Sequence, residues 1–296
     1  MDALIIKKWG SLKKQKNSYL MILPVVLFLT VFMIIPLFGL FVMSISDFKF
    51  SQYQGMVGLK NYRIMLEDPI FWRSFLNTAL FTVFTIPMVL VISLLLAILV
   101  NQKIKFRNIF RTSVFFPTIS SWVVVAVIWK YLYNSEFGLL NMGLKALGFE
   151  PQLWLASTKL ALPSLVNVNV WKNVGFYMVL FLAGLQGIPY ELYEAGKIDG
   201  TNVWQQFRYI TIPQLRSIII LAMTMLTIET FKIFDLVFIM TRGGPFFSTT
   251  TLVSYIYDTG FVSWDMSYGA TIAITLFVVI IILTAIQWKL TGLNEE

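Results

Sequence analysis

Charged residues cut the chain into long uncharged runs, and the lengths of those runs set the elements. No charge falls between Lys16 and Asp47, and residues 19–46 are apolar almost throughout. An α-helix rises about 1.5 Å per residue, so about 20 apolar residues cross a hydrocarbon core about 30 Å thick. The same test picks out residues 75–100, 112–133 with Lys130 near the end, 160–188 containing Lys172, and 215–240 containing Glu229, Lys232 and Asp235. A sixth run, 268–288, carries no charge. No ten-residue segments alternate in polarity as barrel strands do. The pattern predicts an all-α membrane protein, a six-transmembrane-helix bundle. The connections 47–74, 134–159 and 241–267 leave room for single turns or interfacial helices and little more. No short-period repeat or low-complexity tract interrupts the chain.

Charge orients the bundle. Thirteen Lys and Arg fall in the N-terminal stretch (Lys7, Lys8, Lys13, Lys14, Lys16), between spans two and three (Lys103, Lys105, Arg107, Arg111), between four and five (Lys197, Arg208, Arg216) and after six (Lys289), against seven in the other connections (Lys49, Lys60, Arg63, Arg73, Lys145, Lys159, Arg242). By the positive-inside rule this predicts both termini cytoplasmic, in the cell's inner membrane. Residues 1–18 read as a basic cytoplasmic segment and 19–296 as one six-span domain. The first apolar stretch is too long for a cleaved signal and lacks a small-residue cleavage site, so it reads as a retained anchor.

Composition narrows the chemistry. The 296 residues are 57% hydrophobic and 13% charged, against about 25% charge in soluble domains. Neither cysteine nor histidine occurs. That excludes disulfides, thiolate nucleophiles, Ser-His-Asp triads, His-bearing zinc sites and histidine proton relays. The net charge of +8 fits membrane topology rather than nucleic-acid binding. The phosphate-binding pattern G-x-x-x-x-G-K-[ST] is absent, since Gly196-Lys197 is followed by Ile198. No catalytic residue, metal ligand set or cofactor site is read from the chain, and the expectation is a transport subunit rather than an enzyme.

The most informative connection is 189–213, PYELYEAGKIDGTNVWQQFRYITIP. Leu192, Ala195 and Ile198 recur every third residue on one face of two helical turns. Asp199-Gly200 is a stop signal, with Gly able to take a left-handed conformation. Thr201 or Asn202 can cap a second short helix, in which Val203 and Phe207 share a face. This describes a compact helix–turn–helix, though an ordinary amphipathic loop would give the same pattern.

The stretch resembles the EAA loop of bacterial ABC importer permeases, here as Glu194-Ala195-Gly196 followed by Asp199-Gly200 and Ile212-Pro213. The resemblance implies the type I ABC importer permease fold, with 189–213 as the coupling loop that docks into a cleft on a separate ATPase. It assigns ATPase coupling to Glu191, Glu194, Ala195, Gly196, Asp199 and Gly200, with Glu194 pairing with a basic residue of the ATPase. Gly196 and Thr201 stand where alanine is common in the family, and a glycine there loosens a helix by up to about 1 kcal/mol. Gly58-Leu59-Lys60-Asn61-Tyr62, Asn77-Thr78, Phe116-Pro117, Thr241-Arg242-Gly243-Gly244-Pro245 and Ser248-Thr249-Thr250 extend the likeness to the carbohydrate branch, in particular the maltose-type first permease in a short form. The implied partners are a second homologous permease, a cytoplasmic ATPase dimer, an extracytoplasmic sugar-binding protein and a sugar.

Charges inside the spans carry the remaining signal. One at the bilayer centre costs about 2.5–3.5 kcal/mol even on the lenient insertion scale, so it faces the bundle interior or a wet cavity. Lys172 lies 17 residues before Pro189 and Glu229 lies 16 after Pro213. At about 1.5 Å per residue both sit about 25 Å from the loop, at the midplane or in the outer half. They are expected to approach each other across antiparallel helices. Pairing of Glu229 with Lys232, or of Lys232 with Asp235, is the alternative, and either arrangement serves a substrate path or simple scaffolding. The resemblance implies a path lined by Thr118, Trp122, Asn169, Lys172, Asn173, Phe176, Glu229, Thr230 and Ile233. Amides and carboxylates bond sugar hydroxyls and aromatic faces stack on sugar rings. Packing or interfacial anchoring for Trp122 and Phe176, and helix–helix bonding for Asn169 and Asn173, compete with that reading.

The reading is a transmembrane permease subunit of an ATP-driven carbohydrate importer. The alternatives are an ion- or proton-coupled secondary transporter, a permease of the same superfamily for a non-sugar solute, and a membrane-embedded enzyme. The absent second half of an inverted repeat argues against the first. The lack of any nucleophile or metal cluster argues against the last.

Overall fold

The computed structural model describes residues 16–49, 52–102 and 105–290. Most of the basic N-terminal segment, and Lys103, therefore lie outside the described residues. Among the described residues four helices are long and apolar enough to cross a membrane, and two further bent pairs bring the number to six if each pair is one span.

The first span consists of α1 (Lys16–Leu29) and α2 (Ile35–Ser44), joined by a wide turn, Thr30–Ile34. The wide turn ends two residues before Pro36. Proline lacks an N–H, and its ring clashes with the carbonyl four residues back, so the chain opens the turn preceding it. A short antiparallel hairpin follows, β1 (Ser46–Lys49) and β2 (Gln52–Met56), pairing Ser46 with Met56 and Lys49 with Gln52. The hairpin stands in the connection 47–74, where single turns or interfacial helices were expected, within an otherwise helical chain. Helix α3 (Lys60–Glu67) then brings Asn61 beneath it, where Nδ2 donates to the carbonyls of Ser44 and Ser46 at 3.0 and 2.9 Å. The Tyr62 hydroxyl meets Ser44 Oγ at 2.9 Å, so Asn61-Tyr62 clamps the end of the first span.

The second span is α4 (Pro69–Asn101), opened by Asp68, whose carboxylate accepts from the Ile70 N–H at 2.8 Å, and by Pro69 at the first helical position. Its main partner is the fourth span, α8 (Ala161–Gln186). In its most apolar stretch α8 is 61% buried within the chain, against 0% for the first span, so α8 is the centre of the bundle. Phe81, Leu165, Tyr177, Phe181 and Leu226 form the main core, and Met65, Phe71, Phe231, Leu252 and Ile272 a smaller one.

The third and fifth spans are each broken within the runs 112–133 and 215–240. The third is α5 (Arg107–Ile119) and α6 (Trp122–Leu132), bent by 101° at Ser120–Ser121, with Ser121 Oγ accepting from the Val123 N–H at 3.3 Å. The fifth stops at Phe231, at the end of α12 (Arg216–Phe231), and resumes as α13 (Asp235–Met240), which packs against α6. Between α6 and α8 lies the short amphipathic helix α7 (Leu139–Ala146). Beyond α13 come α14 (Leu252–Tyr257) and the last span, α15 (Met266–Leu290).

Candidate functional site

The segment 189–213 begins just beyond the end of α8. Pro189 precedes α9 (Tyr190–Ile198), and Gly200, at φ +77°, ends that helix in the left-handed conformation expected of it. The capping question is settled by Asn202. Its Oδ1 accepts from the Gln205 N–H at 2.9 Å while Gln205 Oε1 accepts from the Asn202 N–H at 2.8 Å, opening α10 (Val203–Gln206). Thr201 instead closes the turn, its hydroxyl donating to the Gly196 carbonyl at 2.7 Å. Gly196 is buried, and a Cβ on it would stand 3.0 Å from both Ile210 Cδ1 and Thr201 Oγ1. The two short helices therefore close on each other over a residue without a side chain. Glu191, Leu192, Glu194, Ala195, Ile198, Asp199 and Val203 all face outward, Ile198 at 87% and Val203 at 84% exposure. Trp204 is 66% exposed, and its ring centroid lies 5.5 Å from that of Phe207.

A second wide turn, Phe207–Thr211, precedes α11 (Ile212–Gln214) and Pro213, repeating the relation seen before Pro36. The Tyr193 hydroxyl meets Thr211 Oγ1 at 2.9 Å. Residues 203–214 then turn by 66° into α12. One hydrogen bond and one bend thus connect α9 to the helix that carries Glu229.

The charges in the fourth and fifth spans do not pair as expected, and of the four only Lys172 is buried. Among the described residues the one ion pair is Arg63–Glu67 in α3; Lys172 and Glu229 do not form one, nor do Lys232 and Asp235. Lys172, 5% exposed, donates from Nζ to the Thr118 carbonyl at 3.1 Å and lies 4.6 Å over the Trp122 ring. Thr118 returns a bond from Oγ1 to the Lys172 carbonyl at 3.0 Å. The physical reason is the bend. Because α5 ends at Ile119, the Thr118 carbonyl is one of the last four in its helix and has no partner within it. A buried ammonium satisfies that carbonyl and the negative end of the helix dipole together. Lys130 acts likewise on α13, donating from Nζ to the Ile239 carbonyl at 3.1 Å. Lys232 and Asp235 are exposed and flank the break in the fifth span, the cation just after the end of α12 and the anion in the first turn of α13. Each has the sign its helix end favours.

Glu229 accepts from the Tyr177 hydroxyl at 3.3 Å, which links the fourth and fifth spans. Tyr177 was not singled out from the sequence, although a tyrosine one helical turn beyond Asn173 on a span is itself a signal. Asn173 Nδ2 donates to Asn169 Oδ1 at 3.0 Å, and the Phe176 ring lies edge-on to Tyr177. These contacts form three groups along α8: Lys172 with Thr118 and Trp122, Asn173 with Asn169, and Tyr177 with Phe176 and Glu229. Thr230 and Ile233 stand apart. Thr230 is 1% exposed and bonds the Leu226 and Thr227 carbonyls of its own helix, while the Ile233 carbonyl accepts from Thr251 Oγ1 at 3.1 Å across the break.

At the opposite end of the bundle from 189–213, two separated motifs meet. Asn77 Nδ2 donates to the carbonyls of Phe247 and Thr250 at 2.8 and 3.0 Å, and Thr78 Oγ1 accepts from the Leu252 N–H at 3.0 Å. Gly243 has φ +81°, and a Cβ there would come within 2.4 Å of Thr250 Oγ1. Nearby, both the Tyr255 and Tyr268 hydroxyls donate to Asp68 Oδ2. Burial pushes this carboxyl up, but the two tyrosines and the Ile70 and Phe71 N–H groups hold it below its ordinary value. No sequence motif marked this cluster, because its three members come from three elements.

Comparison with known proteins places this geometry. The profile of the family described as binding-protein-dependent transport system inner membrane component matches residues 64–289. The trehalose/maltose transport system permease protein of Thermococcus litoralis is 34% identical over 288 residues, 96% of either chain. The arabinooligosaccharides transport system permease protein of Bacillus subtilis is 36% identical over 282 residues, covering 94% of this chain and 90% of that one. The fold matches a chain in the crystal structure of a bacterial ABC transporter involved in the import of the acidic polysaccharide alginate, with TM-score 0.84 and 21% identity over 98% of this chain and 100% of that chain.

Proposed function

The chain belongs to the family of binding-protein-dependent transport system inner membrane components, and from that premise we propose that its cargo is a carbohydrate, that it pairs with a second homologous permease, and that it docks through Glu191–Gly200 on a cytoplasmic ATPase dimer. It is a multi-pass inner-membrane permease of an ABC importer that works with a binding protein. The names of relatives aligned over at least nine-tenths of both chains, one for trehalose and maltose and one for arabinooligosaccharides, carry the sugar reading. The site's chemistry supports it: amides at Asn169 and Asn173, a carboxylate at Glu229, an ammonium at Lys172 and rings at Trp122 and Phe176 are the groups that recognise sugar hydroxyls and C–H faces.

The coupling proposal rests on the outward face of 189–213. Acidic Glu191, Glu194 and Asp199 surround exposed Leu192, Ile198 and Val203, a combination suited to an apolar cleft with a basic rim. Movement of α9 reaches α12 through the Tyr193–Thr211 bond and the 66° bend. Rotation of α12 then displaces Glu229 relative to Tyr177 on α8, changing the path between the fourth and fifth spans. The chain supplies the path and the lever, and ATP hydrolysis takes place in the partner.

The test is reconstitution of the chain with its second permease, ATPase and binding protein in proteoliposomes, with uptake of maltose, trehalose, arabinotriose and lactose measured with and without ATP. ATP-dependent uptake of at least one is expected, falling more than tenfold in Glu194→Lys while membrane insertion is unchanged. Uptake that survives ATP depletion and follows an ion gradient, or that ignores Glu194→Lys, would overturn the coupling proposal. Transport of none of the sugars would overturn the carbohydrate proposal.

A further inference from the structure

On the face of the bundle opposite 189–213, the end of α6, the segment 153–156 before α8 and the loop after α13 enclose a cavity of about 370 Å³. It is separate from the Lys172 cluster. Its wall carries Lys130, Tyr133, Asn134, Ser135 and Trp154, closed on the other side by Gly244-Pro245. Small-molecule sites run from about 300 to 1,000 Å³ and combine aromatic walls with a few placed polar groups. This cavity has that size and that make-up.

Its walls are fixed. Trp154 Nε1 donates to Asn141 Oδ1 at 2.9 Å, and its ring lies 5.5 Å from the Tyr133 ring. The Tyr133 hydroxyl accepts from Asn167 Nδ2 at 3.0 Å and donates to the Ser164 carbonyl at 3.3 Å. Ring contacts continue from Tyr133 to Trp129 at 5.4 Å and from Trp129 to Trp171 at 5.4 Å, which is the residue before Lys172. A row of four aromatic side chains thus runs from the cavity to the helix that carries Asn169, Lys172 and Asn173.

The polar groups keep bonding capacity. Lys130 spends one of its three N–H donors on the Ile239 carbonyl. Asn134 Oδ1 accepts from the Glu136 and Phe137 N–H groups, which turns its Nδ2 away from the backbone it caps. An ammonium, an amide and a hydroxyl beside an indole make a donor-rich rim around an apolar face. We infer that this cavity is an outer carbohydrate subsite, which takes one ring of the incoming sugar, C–H face on Trp154 and hydroxyls on Lys130, Asn134 and Ser135, before the sugar reaches the Lys172 cluster. The inference rests on the carbohydrate reading of the transporter.

The chain has no cysteine, so Ser135→Cys gives it a single thiol inside the cavity. The test measures maleimide labelling of that thiol in the complete importer in proteoliposomes, with maltose, trehalose, arabinotriose or lactose present at millimolar concentration and the binding protein absent. Asn202→Cys on the opposite face is the control, and uptake is read on the same preparations with the binding protein restored. The transported sugar is expected to slow labelling at 135 at least threefold, with no effect at 202, and Trp154→Ala is expected to remove the protection and raise the uptake KM with kcat retained. Should a sugar be transported without protecting position 135, the subsite is overturned while the carbohydrate reading stands. In a separate arm with the binding protein added and no sugar, protection of position 135 would make the cavity a protein contact and overturn the subsite as well. If none of the sugars is transported, it is the carbohydrate reading that fails, and the subsite with it.

Discussion

The ammonium of Lys172 lies between the Thr118 carbonyl and the Trp122 ring, two groups that attract a cation and repel an anion. Exchange of charge with Glu229 therefore does not preserve its contacts. Lys172→Glu and Glu229→Lys, each damaging alone, are expected to remain damaging together, measured as yield of folded permease and as uptake; recovery in the double variant would restore direct pairing. Asp68 makes a second prediction at this scale. Its carboxyl titrates below the ordinary value in the folded chain, so its contribution is fully present above the unfolded carboxylate pKa of about 4 and is lost as pH falls through the lowered native value. Asp68→Asn keeps a cap for α4 but removes the charged acceptor for Tyr255 and Tyr268. It is expected to cost about 1.5–3 kcal/mol at neutral pH, as hydrogen bonds to charged groups do, and to flatten the fall in thermal stability of the detergent-solubilised permease under acid.

At the scale of elements, breaks decide more than lengths. Gly175 lets the backbone of α5 approach α8, since a Cβ there would stand 2.2 Å from the Val114 carbonyl oxygen and 2.8 Å from Phe115 Cα. Both obstacles are backbone, so the helices themselves must separate. Close approach through small residues is the usual basis of helix association in membranes. Gly175→Ala is expected to destabilise by about 1–3 kcal/mol, seen as a lower unfolding temperature in detergent, and to weaken the Thr118–Lys172 contact. The same separation would change the bend between α5 and α6. By contrast, the wide turns before Pro36 and Pro213 follow from local chemistry and need no tertiary partner.

For the whole molecule, the central α8 connects the two ends. One end carries the exposed 189–213 segment, and the other carries the loop gripped by Asn77 and Thr78. The two ends must lie on opposite sides of the membrane. With no native thiol on the chain, Asn202→Cys is expected to react with an impermeant maleimide only in inside-out vesicles, and Phe246→Cys, 87% exposed, only in right-side-out ones. Labelling of both from one side would invert or abolish this topology. The six-span architecture was legible in the uncharged runs, and the outward face of α9 in the three-residue recurrence of Leu192, Ala195 and Ile198. The bends at Ser120–Ser121 and after Phe231 were not, because the polar residues that mark them, Ser120-Ser121 in the third run and Lys232 and Asp235 in the fifth, fit an uninterrupted span with paired charges as well as they fit helix ends.

What the sequence determined by itself follows from properties that each residue carries locally. Run length sets the number of crossings, the distribution of Lys and Arg sets their expected direction, and the lack of His and Cys excludes several kinds of chemistry. Gly200 and the Asn202–Gln205 cap shape the segment 189–213 from its own residues. The tertiary structure decided which groups meet. Lys172 found a helix-end carbonyl rather than Glu229, Glu229 found Tyr177, and Asn77 found the backbone of a loop about 170 residues away. A backbone carbonyl is the same in every residue, so its availability as a partner depends on where a helix stops and what packs beside it, and no pattern of side chains along the chain records that.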